Sequence, residues 1–142
     1  MTNAIREELE AIARRWVELG WQQGDAEATK GLYAQDFVDF SSPVRERGTR
    51  DDNAQSIRDL YAAFPDFHTT IDDLIIDTEQ SKVAVRWTAT GTHRGPFLGV
   101  EPTGNRVTFR GIETLTIRHG LIVERAGEWN GIAILEQMGA RW

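Results

Sequence analysis

The chain has 142 residues and a mass of 16.0 kDa, a length typical of one compact domain, so we expect a single domain over residues 1–142. It carries 22 Asp and Glu against 16 Lys and Arg, and the formal charge of −6 would repel a phosphate backbone, which argues against nucleic-acid binding. Because the sequence has no cysteine, it excludes disulfides, thiolate zinc sites and thiol nucleophiles.

The first eight residues, MTNAIREE, are charged and lack the apolar core of a signal peptide. No apolar run along the chain approaches the length that spans a membrane. We therefore expect a soluble, cytoplasmic protein that has no membrane partner.

Three helices are predicted in the first half of the chain. Apolar residues at steps of three and four over 4–20 indicate an amphipathic helix that Gly20 can end, and Asp25 is a natural cap for a second helix through about Tyr33. A third helix begins at Thr49, where Asp52 has capping-box spacing, and Pro65 stops it.

Strands follow from about residue 69, where the pattern changes to a period of two. Two stretches alternate apolar and polar residues, around 83–92 and 106–118, and a turn at His119 leads into a third at 121–129. Helices followed by antiparallel strands predict an α+β fold in which the helices pack on the apolar face of the sheet.

Glu113 interrupts the apolar row of its predicted strand, so its carboxylate should face the interior. Burial raises the pKa of a carboxyl group, which suits a general acid or base near neutral pH. Two structural alternatives stay open: a bulge could turn Glu113 outward, or an arginine such as Arg86 or Arg125 could pair with it.

His93 continues the inward parity of its strand and could sit at the mouth of the apolar face, where an imidazole can move a proton. Between glycines at 91 and 95 it is equally well explained as a turn residue. His68 and His119 are interpreted as structural. Three isolated histidines without ligand spacing predict no metal site.

Aromatic residues are numerous enough to line a pocket for a flat, mostly apolar ligand, although most of them could equally be core. The candidates for ligand contact are Trp16, Tyr33, Phe37, Phe40, Tyr61, Trp87, Phe97, Phe109 and Trp129, with Phe64 as a further member of the set.

Several segments together resemble the SnoaL-like polyketide cyclase family. They are VAVRWTATGTHRGPFLG at 83–99 followed by PTG at 102–104, YAQDFVD at 33–39, FPDFH at 64–68, GLIVE at 120–124 and LEQMG at 135–139. The resemblance implies the cone-shaped fold of the nuclear-transport-factor-two-like superfamily, with a strongly curved sheet around a pocket, and a homodimer. It also implies ring closure by intramolecular aldol condensation, with no cofactor and no metal.

Two positions depart from that family. Many relatives carry Asp where this chain has Asn130, and a histidine where it has Phe40. Since Asn130 cannot act as a carboxylate base, we expect Glu113 to be the base, Asn130 a hydrogen-bond donor and His93 a secondary acid.

The substrate expected from this arrangement is a small hydrophobic cyclic or polyketide-like carbonyl compound, and the reaction an aldol-type closure or a related isomerase, lyase (dehydratase) or hydrolase step. The alternative is a non-catalytic binding protein for a hydrophobic metabolite. A third hypothesis is a dimerising domain whose interior is filled by its own side chains.

Overall fold

The computed structural model of the protein describes residues 2–41 and 48–140. Within these residues, four α-helices and five strands alternate unevenly. In order they are α1 (Thr2–Trp16), α2 (Ala26–Lys30), β1 (Tyr33–Asp39), α3 (Arg50–Ala63), β2 (His68–Asp77), β3 (Lys82–Thr92), β4 (Arg106–Arg118), β5 (Leu121–Trp129) and α4 (Gly131–Gln137). The predicted α+β class is confirmed.

The five strands form one curled, unclosed sheet in the order β1-β5-β4-β3-β2. Strands β2 to β5 are antiparallel, as predicted, but β1 pairs with β5 in parallel, so the sheet is mixed. The prediction of a second helix reaching Tyr33 was wrong, because α2 ends at Lys30 and Tyr33 already begins β1. Pairing with β5, nearly 90 residues later in the chain, stabilises this strand, and local periodicity does not reveal such a partner.

Helix α1 does not end at Gly20. The chain continues from α1 as a π-helical segment, Val17–Gln22, and leaves it through Gly24, whose φ of +67° is a conformation that glycine adopts easily. A π-helical turn is rare and often lies at a functional site. Here it carries Trp21 towards the interior of the sheet.

The predicted start of the third helix is confirmed in detail. The Thr49 hydroxyl accepts a hydrogen bond from the Asp52 backbone N–H at 3.2 Å, and the Asp52 carboxylate accepts one from the Thr49 N–H at 2.8 Å. This capping box satisfies two backbone donors at the start of α3. The helix ends at Ala63, just before Phe64 and Pro65.

Two clusters of buried apolar residues hold the helices on the sheet. One joins α1 to the inner faces of β3, β4 and β5, and the other gathers Phe64, Phe67 and Phe109 with Ile134 and Met138 near α4. Helix α4, which the sequence analysis did not predict, is attached to β4 by Gln137, whose side-chain amide bonds both the N–H and the C=O of Thr108. None of the described helices is both long and apolar enough to cross a membrane.

Candidate active site

A cavity of about 310 Å³ lies between the curled sheet, the π-helical segment and α3. Its size is at the lower end of the range for small-molecule sites. The third hypothesis, an interior filled by its own side chains, is therefore not supported. Polar residues of α3 contribute to the lining, namely Asp52, Asn53, Ser56 and Asp59.

The chemical character of the cavity lining changes along strands β4 and β5, from polar at one end to aromatic at the other. At one end lie four polar residues, Asp39, Asn53, Glu113 and Arg125, which we call the polar end. At the other lie five rings, which we call the aromatic end: Phe67, Trp87, Phe97, Phe109 and Trp129. Trp16 and Trp21 also line the cavity, and their rings flank the Arg125 guanidinium at 5.7 and 5.3 Å from its central carbon.

Glu113 faces the cavity, as its place in the apolar row of β4 predicts, and is only 4% exposed. Strand β4 is paired regularly around it, so no bulge turns it outward. Its Oε1 accepts a hydrogen bond from Arg125 Nη2 at 2.5 Å, which confirms Arg125 as its partner. Within residues 2–41 and 48–140 its Oε2 has no hydrogen-bond donor.

Arg125 joins two carboxylates. Its Nη1 donates to Asp39 Oδ2 at 2.9 Å while Nη2 donates to Glu113, and its side chain is only 13% exposed. A buried arginine needs such partners, because an unpaired charge in the interior is costly. The two ion pairs also link β5, which carries Arg125, to its neighbours on either side: β1 through Asp39 and β4 through Glu113.

The hydrogen bonds continue from Asp39 into the core. Asn53 Nδ2 donates to Asp39 Oδ2 at 3.1 Å, the Tyr33 hydroxyl donates to Asn53 Oδ1 at 2.7 Å, and the Trp16 indole donates to the Tyr33 hydroxyl at 2.8 Å. Burial raises the pKa of Tyr33, so it stays a neutral donor. The chain of bonds fixes Asp39 from three elements, α1, β1 and α3.

The pKa values of the two carboxyl groups are shifted in opposite directions. Burial raises the pKa of Glu113, and Arg125 offsets this only in part. Burial acts on Asp39 in the same sense, but Arg125, the Ser41 N–H and Asn53 outweigh it and hold the pKa of Asp39 below its ordinary value. Paired carboxyl groups whose pKa values are pushed apart suit a proton-transfer site, in which one exchanges a proton and the other stays charged.

The predicted ligand-contact residues separate into two groups. Trp16, Trp87, Phe97, Phe109 and Trp129 line the cavity, whereas Tyr33, Phe37, Phe40, Tyr61 and Phe64 do not. Among the second group, Tyr33 belongs to the polar network, Phe37 stacks on it at 3.9 Å, and Tyr61 and Phe64 pack within the aromatic core. Phe40 is 47% exposed.

Asn130 and His93 also lie outside the cavity lining. Asn130 precedes α4, and its Oδ1 accepts a hydrogen bond from the Arg110 N–H at 2.9 Å. His93 is fully buried beside Phe64, and its Nδ1 accepts from the Thr103 N–H and contacts the Thr103 hydroxyl. Neither side chain meets Glu113, and their predicted catalytic roles stay predictions.

Several cavity residues were missed by the sequence analysis, among them Asp39, Asn53, Trp21 and Phe67. A polar residue at an inward position of an apolar strand was the signal that revealed Glu113, and Asp39 shows the same signal once 33–39 is interpreted as a strand. Asn53 and Trp21 carry no comparable signal. Among the described residues no group of three or more His, Asp or Glu is arranged to hold a metal ion.

Comparison with known proteins decides the family. The sequence model of the SnoaL-like polyketide cyclase family matches residues 11–138, nearly the whole chain. The chain belongs to this family. No curated protein shows significant similarity to it.

Solved structures of other proteins share the fold. AclR from Streptomyces galilaeus, described as a candidate hydroxylase, is 28% identical with a TM-score of 0.83, covering 94% of this chain and 82% of that one. IdmH from Streptomyces antibioticus, described as a candidate polyketide cyclase, is 26% identical with a TM-score of 0.78, covering 93% and 99%. TsrD from Streptomyces laurentii is 23% identical with a TM-score of 0.83, covering 96% and 98%, and shows likeness of fold alone.

Proposed function

We propose that this SnoaL-like protein is an acid–base enzyme acting on a small hydrophobic cyclic or polyketide-like carbonyl compound, without a cofactor. The observation that carries the proposal is Glu113, a buried carboxyl group in a cavity whose surface is mostly apolar, held through one oxygen by Arg125. A raised pKa brings such a group towards the pH at which it can both take and return a proton.

In an aldol-type closure, Glu113 would take a proton from the carbon beside one carbonyl, and the enolate carbon would then form a bond with a second carbonyl of the same molecule. The new alkoxide takes a proton back, which restores the carboxylate. Arg125 is the only cation among the described lining residues, and its positive charge stabilises the negative oxygen that forms.

The same proton transfers serve isomerase, lyase and hydrolase reactions. AclR and IdmH are described by different activities, so fold likeness does not choose among them. Because Asn130 and His93 lie outside the cavity lining, the proposal depends on Glu113 and Arg125. The expected homodimer and the cytoplasmic location stay predictions.

A second candidate is a binding protein for a hydrophobic metabolite. It is favoured by the ion pair itself, because Arg125 already neutralises Glu113 and a bound ligand would meet mostly apolar surface. Binding without turnover would distinguish it from the enzyme.

The test is a titration with polycyclic aromatic ketones, anthraquinone-type esters and terpenoid ketones, followed by tryptophan fluorescence and then by mass spectrometry of products. Four of the five tryptophans line the cavity, so binding should quench the emission. Glu113→Gln should keep binding and lower kcat by about 100-fold or more. The exposed Glu101→Gln is the control and should behave like the wild type.

Full turnover by Glu113→Gln would overturn the enzyme proposal as stated. Saturable quenching with no product from any compound would favour the binding protein instead.

A further inference from the structure

Gly127 lies directly opposite Glu113 in the register of β4 and β5. Side chains of a strand alternate between its faces, so Gly127 shares the face of Arg125 and Trp129, both of which line the cavity. It is therefore the one position in this inward row of β5, from 125 to 129, that contributes no side chain.

The space above Gly127 is filled by the carboxyl group of Glu113. A Cβ built at 127 would overlap Glu113 Oε2, and the three atoms nearest to it are Oε2, Cδ and Oε1 of that one residue. The carboxyl group thus occupies the space that a side chain at 127 would take, with Oε2 nearest to that position, while Oε1 meets Arg125 Nη2.

The backbone of Gly127 gives no other reason for a glycine. Its φ is outside the left-handed region, which is adopted instead by Gly24, Gly99, Gly104, Gly120 and Gly139. Gly111, another glycine of the sheet, differs, because a Cβ there would meet the backbone oxygen of Glu128 as well as Trp87.

We infer that Gly127 is a positioning residue for Glu113: its missing side chain creates the space that lets the carboxyl group reach Arg125 while Oε2 stays free of described donors. This deepens the proposed function, on which it rests for the importance of Glu113. An alanine at 127 should push the carboxyl group away from Arg125 with the sheet otherwise intact.

The first test is a pH titration of Glu113 by NMR on protein labelled with ¹³C at the glutamate carboxyl carbon, the resonance being identified from its loss in Glu113→Gln. Arg125 lowers the pKa of Glu113, so removing the contact in Gly127→Ala should raise the apparent pKa by about one unit. Gly131→Ala is the matched control, because its Cβ meets only Trp129, at 3.9 Å. A Gly127→Ala titration that superimposes on the wild type, or moves to lower pH, overturns the inference.

The second test is thermal unfolding in two backgrounds. Gly127→Ala should lower the midpoint by about 3–6 °C in the wild type, through overlap with Glu113. In Glu113→Asp, whose shorter side chain vacates the space, the same change should not lower the midpoint, since alanine in a strand ordinarily stabilises relative to glycine. Equal losses in both backgrounds would show that the strand itself needs glycine and would overturn the inference.

If Gly127→Ala alone does not fold, folding of the double variant Glu113→Asp/Gly127→Ala supports the inference, and failure of the double variant overturns it. Neither test needs a substrate. A failure here therefore concerns the position of Glu113 and is distinguishable from a failure of the proposed function, which concerns its chemistry.

Discussion

The polar end and the aromatic end of the cavity share strands β4 and β5 but are held together by different forces. At the aromatic end, rings pack edge to face, as Phe109 does with Phe64 and Phe67 at centroid distances of 4.9 and 5.0 Å. At the polar end, one guanidinium holds two carboxylates drawn from distant parts of the chain. Ring packing is tolerant of detail, whereas an ion-paired network depends on every partner. On the proposed function, the aromatic end would determine which molecule fits and the polar end which reaction follows.

The largest effect on stability is expected from Arg125→Met, which disrupts the polar end by removing the charge while it keeps an apolar side chain of similar length. Asp39 and Glu113 would be left buried without their cation, and we expect the free energy of unfolding to fall by about 3–5 kcal/mol in urea denaturation. Arg86→Met is the control, because Arg86 is exposed and its acidic partners lie at 3.8 and 4.0 Å, so it should cost no more than about 1 kcal/mol. Similar losses for the two variants would contradict a network held by Arg125.

The matching change at the aromatic end is Phe109→Ala. It removes a buried ring that also lines the cavity, and we expect a loss of about 3 kcal/mol in the free energy of unfolding. Fluorescence titration should show that bulkier ketones bind better relative to small ones, because the cavity is larger. The apparent pKa of Glu113 should stay at its wild-type value, and a shift would mean that the two ends are not independent.

The smallest expected effect is on the pH dependence of stability, which distinguishes the two carboxyl groups of the polar end, Asp39 and Glu113. The folded-state pKa of Asp39 is lowered, so its stabilisation is complete above its unfolded pKa and is lost as the pH falls. The folded-state pKa of Glu113 is raised, so its contribution is present below its unfolded pKa and is lost as the pH rises through the folded value.

Asp39→Asn should therefore flatten the acid side of the stability profile, and Glu113→Gln should remove the decline towards neutral pH. Each slope can change by at most about 1.4 kcal/mol per pH unit, since one proton is involved. The measurement is urea unfolding of the two variants and the wild type across the acid-to-neutral range. Parallel profiles for all three proteins would show that the carboxyl groups do not differ as described.

Local patterns were sufficient for much of the fold. The capping box at Thr49 was predicted because its partners are three residues apart, and the inward direction of Glu113 because strand parity is a local property. Prediction failed for β1, whose partner β5 is distant in the chain, and for the π-helical turn after α1, since no pattern distinguishes it from a longer α-helix.

The same division holds for the candidate site. Glu113 and its possible pairing with Arg125 were visible in the sequence, because a lone carboxylate in an apolar row requires a partner or a function. Five of the nine proposed ligand-contact aromatics line the cavity, and the rest pack elsewhere, because aromatic residues serve core and pocket alike.

By itself, the sequence determined the α+β class, the family and the inward carboxylate at 113, since each depends on the order and spacing of residues along the chain. Only the tertiary structure decided that Asp39 and Asn53 join Glu113 through Arg125, that Asn130 and His93 lie apart from the cavity lining, and that Gly127 leaves room for the carboxyl group. The physical reason is that these contacts connect residues up to 86 positions apart, whose distances are set by the curl of the sheet and the packing of α3 upon it.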